Sequence, residues 1–249
     1  MISGSTGISH NGIFRGKDLG TISSLNEYLA FRSAHGIDDK SYTDLYLGDY
    51  FKIQDGTYNA IWMVAHFDYY VNRGNSANSR GVVLIPRTTC GESTMANSDD
   101  ATGAYTSSIV NTTVCPAIAS KLQTVLGSYL LSNKFLLSTA INANISSMMG
   151  TNATGASTNW AWAASQCILP NEIQIYGSTV CSSSFCDIGE SCEKLAVFNF
   201  INHVEYNRLH FWLRSVASAT GFARADGDGG AFFYGASGSY SLRPLIYIG

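Results

Sequence analysis

The chain has 249 residues, enough for one large domain that buries roughly 70–75% of its unfolded surface. Apolar residues make up 45% and charged residues only 13%, with a formal net charge of −3. That balance, with no run of Lys or Arg, excludes the electrostatic footprint of a nucleic-acid binder and a polybasic membrane patch.

Residues 1–40 read as an N-terminal extension for attachment or oligomerisation. The opening Met1-Ile2-Ser3-Gly4-Ser5-Thr6-Gly7 lacks the basic region and apolar core of a signal peptide, so synthesis in a bacterial cytoplasm is expected. Asn11-Gly12 marks a turn. Ser24 and Glu27 form a capping-box pattern that opens a short helix through Leu25, Tyr28 and Leu29, stopping near Gly36. Leu45 to Phe51 alternates and predicts a strand. Ile61 to Tyr70 predicts a buried one, and Gly81 to Pro86 a third.

The middle of the chain predicts helices. One is expected around Thr102 to Val110. Another begins at Pro116, where Ile118, Leu122, Val125, Leu126, Tyr129 and Leu130 form a core-facing stripe. The most apolar part, Leu122 to Ile141, is interrupted by Ser128, Asn133 and Lys134, too often for a membrane span. Residues 143–159, rich in Asn, Ser, Thr and Gly, predict a long loop. Strands then return at Asn171 to Gly177, Leu195 to Phe198, Phe211 to Ser215 and Leu242 to Ile248. Strands, then helices, then strands indicate an α+β fold with an antiparallel sheet.

Catalytic and metal signatures are sparse. The chain has no Gly-x-Ser-x-Gly elbow and no phosphate-binding loop, and Gly227-x-Gly229 lacks the rest of a dinucleotide fingerprint. Six cysteines occur without a Cys-x-x-Cys pair or paired histidines at metal spacing, so they read as small buried hydrophobes. His66 lies in an apolar strand and reads as a satisfied core histidine. His203 and Glu205 read as surface polar residues. Asp226-Gly227-Asp228 reads as a turn rather than a calcium loop. Trp160, Trp162 and Trp212 read as packing residues. No catalytic residue, metal or cofactor is expected.

The C-terminal part has a different character. Two apolar blocks that each carry an arginine, Phe211 to Ser215 and Ser241 to Ile246, bracket a stretch of Gly, Ala, Ser, Asp, Phe and Tyr. The blocks predict buried strands and the stretch a displayed surface. Tyr and Phe give large rigid contacts at low entropic cost, and Ser, Gly and Asp give adaptable polar ones. That pairing suits binding better than catalysis.

From about Asp44 to Gly249 the chain resembles the C-type-lectin-like domains of phage and prophage tail proteins, related to the formylglycine-generating-enzyme fold. Pro170 to Gly177, Phe211-Trp212-Leu213-Arg214-Ser215 and Leu242-Arg243-Pro244 carry the likeness. The resemblance implies an irregular antiparallel sheet with two helices over 41–249, its C-terminal segment lying on the sheet with side chains outward. Some members of this family are the variable proteins of diversity-generating retroelements, whose mutagenised codons exclude Lys, Glu, Gln, Met and Trp. From Leu213 to Gly249 none of these five occurs, although all occur earlier.

By spacing, the variable positions fall at Gly221, Arg224, Asp226, Asp228, Gly230, Phe232, Phe233, Tyr234, Gly238 and Tyr240. Phe222, Ala223, Ala225, Ala231 and Ala236 would be fixed. Asn207 and His210 complete the expected ligand-binding set on the 207–240 surface. The expected function is non-enzymatic recognition of a bacterial surface ligand, protein or glycan. The protein would sit on a virion or host surface, contacting other virion proteins and itself, without inserting into a membrane. The competing expectations are a structural tail or decoration protein and, more remotely, a formylglycine-generating-type enzyme. The enzymes depend on a late cysteine pair, and this chain has no cysteine after Cys192.

Overall fold

A computed structural model describes residues 10–71, 79–144, 157–182 and 193–249. The fold is mixed α and β, built mostly from sheet. Strands β1 (Asp18–Ile22), β2 (Tyr50–Ile53), β3 (Ile61–Phe67), β4 (Val82–Pro86), β8 (Cys167–Ile168) and β13 (Leu245–Ile248) form one sheet in the order β1-β2-β3-β4-β13-β8. A second sheet has the order β11-β10-β9-β12-β5, from β5 (Glu92–Ser93), β9 (Phe211–Ser218), β10 (Gly221–Ala225), β11 (Ala231–Gly235) and β12 (Tyr240–Ser241). β6 (Asn133–Ile141) and β7 (Ser157–Ser165) pair as a separate hairpin. Pairing is mainly antiparallel, but β1 runs parallel to β2 and β12 parallel to β9.

The central strands are continuous apolar runs because both of their faces are covered. Every residue of β4, β9 and β13 is buried. Such runs abandon the alternation of a half-exposed strand, and the burial of their large side chains supplies the main stabilisation. β9 contains Arg214, so one charged group is buried among these apolar residues. Its Nη1 donates to the Leu169 carbonyl (3.0 Å) and to Gln174 Oε1 (3.1 Å). Arg243, fully buried, donates from Nε to the Pro86 carbonyl (2.8 Å) and from Nη1 to the His203 carbonyl (2.6 Å), with its guanidinium 4.9 Å from the Phe211 ring centre. Burial pushes the Arg243 guanidinium down to about 10. The two arginines of the predicted blocks therefore clamp loops to strands from within.

Helix α1 (Leu25–Ala34) starts where Ser24 Oγ accepts from the Glu27 amide, and buries Tyr28 and Phe31. Helix α2 (Cys115–Leu126) has Pro116 in its first turn and buries Ile118, Leu122, Val125 and Leu126, the predicted stripe. The stripe ends earlier than expected: Gly127 to Tyr129 is a 3-10 turn, and the chain then enters β6. The apolar stretch from Leu122 to Ile141 is thus a helix end and a strand. No helix among the described residues is long and apolar enough to cross a membrane.

Several expected elements differ. Asn171 to Gly177 is not a strand but helix α3 (Glu172–Tyr176). Asn171 Oδ1 accepts from the Gln174 amide (2.8 Å) while Gln174 Oε1 accepts from the Asn171 amide (3.0 Å), and Gly177 at φ 89° ends the turn. The reciprocal cap outweighs the polar–apolar alternation, and the polar members Glu172 and Gln174 are buried. Leu195 to Phe198 enters a 3-10 helix, Ala196–Asn199, instead of a strand. The Leu45 strand starts only at Tyr50, since Leu47 makes a single bridge to Phe14. The helix around Thr102 to Val110 is a short 3-10 turn, Tyr105–Ser107, followed by a π-helical turn at Val110–Val114. The expected loop 143–159 overlaps β7 at its end, and most of the rest lies outside the described residues.

The described part of residues 1–40 is built into this core rather than standing apart from it. β1 extends the first sheet, and Ile22, Tyr28, Phe31 and Ile37 belong to the common apolar cluster. The Asp49 carboxylate, fully buried, accepts from Arg15 Nη2 (2.6 Å) and from the Lys17 and Tyr46 amides (both 2.9 Å), tying the N-terminal segment to the approach to β2. Arg32 Nε donates to the Gly249 carbonyl (2.7 Å). Cys90, Cys115, Cys167 and Cys181 are free and buried, whereas Cys186 and Cys192 lie outside the described residues.

Candidate recognition surface

The displayed stretch forms the outer part of the second sheet. β10 and β11 pair antiparallel with Phe222 opposite Tyr234, Ala223 opposite Phe233, Arg224 opposite Phe232 and Ala225 opposite Ala231. Period-two alternation then divides the strands by face. Arg224, Phe232 and Tyr234 share the outer face, where Phe232 is 47% and Tyr234 49% exposed. Ala223 and Ala225 are fully buried on the other.

The strands are joined by a three-residue loop. The Gly229 amide donates to the Asp226 carbonyl (3.0 Å) and the Asp226 amide to the Gly230 carbonyl (2.9 Å), with Gly229 at φ 101°. This is a type I turn followed by a left-handed bulge residue, a conformation that favours glycine. The turn is braced from beneath. Tyr176 Oη donates to the Gly230 carbonyl (2.7 Å), and His203 Nε2 lies 3.0 Å from the Asp226 carbonyl oxygen. A Cβ on Gly227 would stand 1.9 Å from the Arg208 carbonyl oxygen, so the turn is seated tightly against that loop.

Arg224 organises the face. Its Nε donates to Asp226 Oδ1 (2.7 Å), while its guanidinium carbon lies 4.5 Å from the Tyr240 ring centre and 5.2 Å from that of Tyr234. Cation–π contacts of this half-exposed kind contribute about 0.5 to 2 kcal/mol each. Tyr234 and Tyr240 meet edge to face at 5.4 Å, and Tyr240 rests edge to face on Trp212 at 4.8 Å. Trp212 is fully buried, its Nε1 donating to the Ser93 carbonyl (2.9 Å). Burial raises the Tyr240 phenol above its ordinary value, so it remains protonated as a donor.

His210 Nδ1 lies 3.0 Å from Asp226 Oδ1 and 3.2 Å from the Gly227 amide nitrogen. With Nδ1 protonated the ring donates to the carboxylate; with Nδ1 bare it accepts from the amide. At the other end of β11, Asp99 accepts from the Ser237 amide (3.0 Å) and hydroxyl (2.6 Å), holding the turn that leads to β12.

The structure therefore joins His210, Arg224, Asp226, Phe232, Tyr234 and Tyr240 in one patch, with Gly238 seated between the Tyr234 and Tyr240 rings. Asp228 and Gly230 lie at its tip. Three expected positions stand differently. Gly221 is buried, and a Cβ there would stand 2.2 Å from the Tyr234 carbonyl oxygen, so it is a packing residue and not a displayed one. Phe233 is half-buried on the opposite face, packed against the core. Asn207 uses its Oδ1 to accept from the Leu209 amide (2.9 Å) in the loop before β9. Of the five positions expected to be fixed, Phe222, Ala223, Ala225 and Ala236 are buried and Ala231 is half-buried.

His203 is not a surface residue. It is buried, edge to face with Tyr176 (5.4 Å) and Phe211 (5.7 Å), and burial lowers its pKa. Sequence reasoning missed the bracing set of Asp99, Tyr176 and His203, because each lies outside the β9–β10–β11 run it supports, whereas Trp212 has the packing role expected of it. His66 is a satisfied core histidine, its Nδ1 accepting from the Ala196 amide (3.0 Å). Trp162 is 41% exposed on β7, unlike the packing role expected of it. Among the described residues no group of three His, Cys, Asp or Glu side chains is arranged to hold a metal ion.

No family model matches the chain, and no curated protein or solved structure was found to match it.

Proposed function

We propose that this protein is a receptor-binding component of a phage or prophage particle, with a C-type-lectin-like domain that recognises a bacterial surface ligand through the β10–β11–β12 face. The observation that carries this reading is the division of labour in one hairpin. Arg224, Phe232 and Tyr234 share one face of the two strands, and the residues alternating with them are buried in β10 and half-buried in β11, over a frame held by buried side chains. Exposed aromatics beside an arginine are the side chains that dominate recognition interfaces. Behind them lie Ala223, Ala225 and Ala231 with the half-buried Phe233, so Phe232 and Tyr234 can be exchanged while the buried cluster stays in place. That freedom is what a diversified surface requires, and the codon-type bias after Leu213 is consistent with it.

The test is adsorption of the fluorescently labelled chain to a panel of diverse bacteria. The Phe232→Ala/Tyr234→Ala double variant is expected to lose at least roughly tenfold in adsorption while its unfolding free energy stays within about 1 kcal/mol of the parent, because both rings are half-exposed. Equal adsorption by parent and variant would remove the reading and favour a structural virion role. Deep sequencing of the 3′ end in a growing population should show substitutions at codons 224, 228, 230, 232, 234 and 240 and none at 221.

A further inference from the structure

Among the described residues β11 is an edge strand. Hydrogen-bonded pairs in the β10–β11 ladder are fixed at both ends, by the Asp226 amide on the Gly230 carbonyl and by the Ala236 amide on the Thr220 carbonyl (2.8 Å). Counting along the register, Phe232 and Tyr234 bond inward to β10. The amides and carbonyls of Ala231 and Phe233 therefore face away from the sheet, and neither residue has a hydrogen-bond partner on that side among the described residues.

Proteins usually blunt such edges with charge, proline, bulges or brevity. The other outer strands of the two larger sheets follow this rule, whereas the nine-residue strands of the β6–β7 hairpin are both edges among the described residues. β1 carries Asp18 and an irregularity at Gly20, whose φ is 92°, and β5 and β8 are two residues long. β11, Ala-Phe-Phe-Tyr-Gly, has none of these devices.

We infer that the partner of this face is an extended polypeptide segment, basic at both ends, which adds to β11 as a further strand. The inference rests on the receptor-binding reading and names the chemistry of its ligand. An extended backbone is the ligand that matches donors and acceptors repeated every second residue along an edge. Phe232 and Tyr234 then flank it on one face. Charge decides between this occupant and a second copy of the chain. The strand is bracketed by Asp228, whose Oδ1 accepts from the Gly230 amide (3.0 Å), and by Asp99, whose carboxylate lies over Gly235. Antiparallel self-pairing about Phe233 would bring the Asp228 end of one copy against the Asp99 end of the other, carboxylate to carboxylate. A strand with Lys or Arg at its ends meets the opposite charge at both.

The experiment measures fluorescence anisotropy of a labelled Lys-Val-Thr-Val-Thr-Val-Lys peptide titrated with the full chain. Saturable binding is expected, lost when alternate peptide amides are N-methylated and weakened when the lysines are replaced by glutamates. Ala231→Pro removes one outward amide at the first position of the strand, where proline is tolerated. It should weaken binding roughly tenfold. Melting of that variant is recorded alongside, and the N-methylated peptide tests the same bonds with the protein untouched.

Absence of saturable binding, or equal binding of the N-methylated peptide, overturns strand addition. A concentration-dependent dimer abolished by Ala231→Pro would assign the edge to a second copy and likewise overturn it. Failure of the peptide with adsorption still dependent on Phe232 and Tyr234 would sink strand addition and leave the receptor reading standing. Peptide binding with adsorption indifferent to those rings would do the reverse.

Discussion

His203 links the inner frame to the displayed turn. Its ring lies under the Asp226 carbonyl, and its own carbonyl accepts from the buried guanidinium of Arg243. Burial holds the imidazole below its ordinary pKa; Arg243 adds to this, while the Asp226 and Asp228 carboxylates and the Asp226 carbonyl oppose it. A histidine whose folded pKa is depressed binds protons more readily when unfolded, so its contribution is complete above about 6.5 and declines as pH falls below that value. Thermal stability should therefore drop between pH 7.5 and pH 5, and His203→Gln should flatten that part of the profile. An unchanged slope in the variant would remove His203 from the account. Neither this role nor the burial of Gly221 was legible from sequence, because both depend on what lies across the sheet. The exposure of Phe232 and Tyr234 was legible, since Gly and Ala around them leave little to bury them.

Among the elements, those with strong periodicity or long apolar runs were readable. The α2 stripe, β3, β4, β9 and β13 all stand close to where the pattern puts them. Helix α3 was misread because Glu172-Ile173-Gln174-Ile175 alternates like a strand, while the deciding signals are its punctuation, Asn171 before and Gly177 after. The β6–β7 hairpin was missed because Leu136 and Leu137 continue an apolar stretch that begins in a helix, although Gly127 marks where that helix ends. The cap of α3 carries more than its own five residues. Gln174 accepts from the buried Arg214 and also donates to Tyr70 Oη (3.4 Å). Asn171→Ala should cost about 1 to 2 kcal/mol, at the upper part of the range for caps. Chemical denaturation at matched conditions checks this, and a loss under about 0.5 kcal/mol would mean the turn is held by tertiary packing alone.

For the whole molecule, the decisive point is that both ends of the described chain meet in one core. β1 completes one side of the six-stranded sheet, and Arg32 of α1 reaches the Gly249 carbonyl. Removing residues 1–40 would strip Tyr28, Phe31 and Ile37 from the common cluster and leave the buried Asp49 carboxylate without Arg15. An unpaired buried charge alone costs about 3 to 5 kcal/mol, a large share of a typical domain's stability. The truncated chain should show no cooperative thermal transition, which differential scanning calorimetry would detect. A sharp transition near the parental temperature would mean that the segment is dispensable.

The position of β13 has a consequence for synthesis. It lies between β4 and β8 in the interior of the first sheet, yet it comes after the whole displayed hairpin in sequence. The six-stranded sheet cannot close until the ribosome has passed Leu245, so the displayed segment is translated before its scaffold can form. A stop codon or frameshift anywhere in 221–240 would yield a chain lacking an interior strand, fit for proteolysis rather than assembly. Errors in the segment that encodes the exposed hairpin are thereby screened by folding itself, and only chains read through in frame complete the sheet.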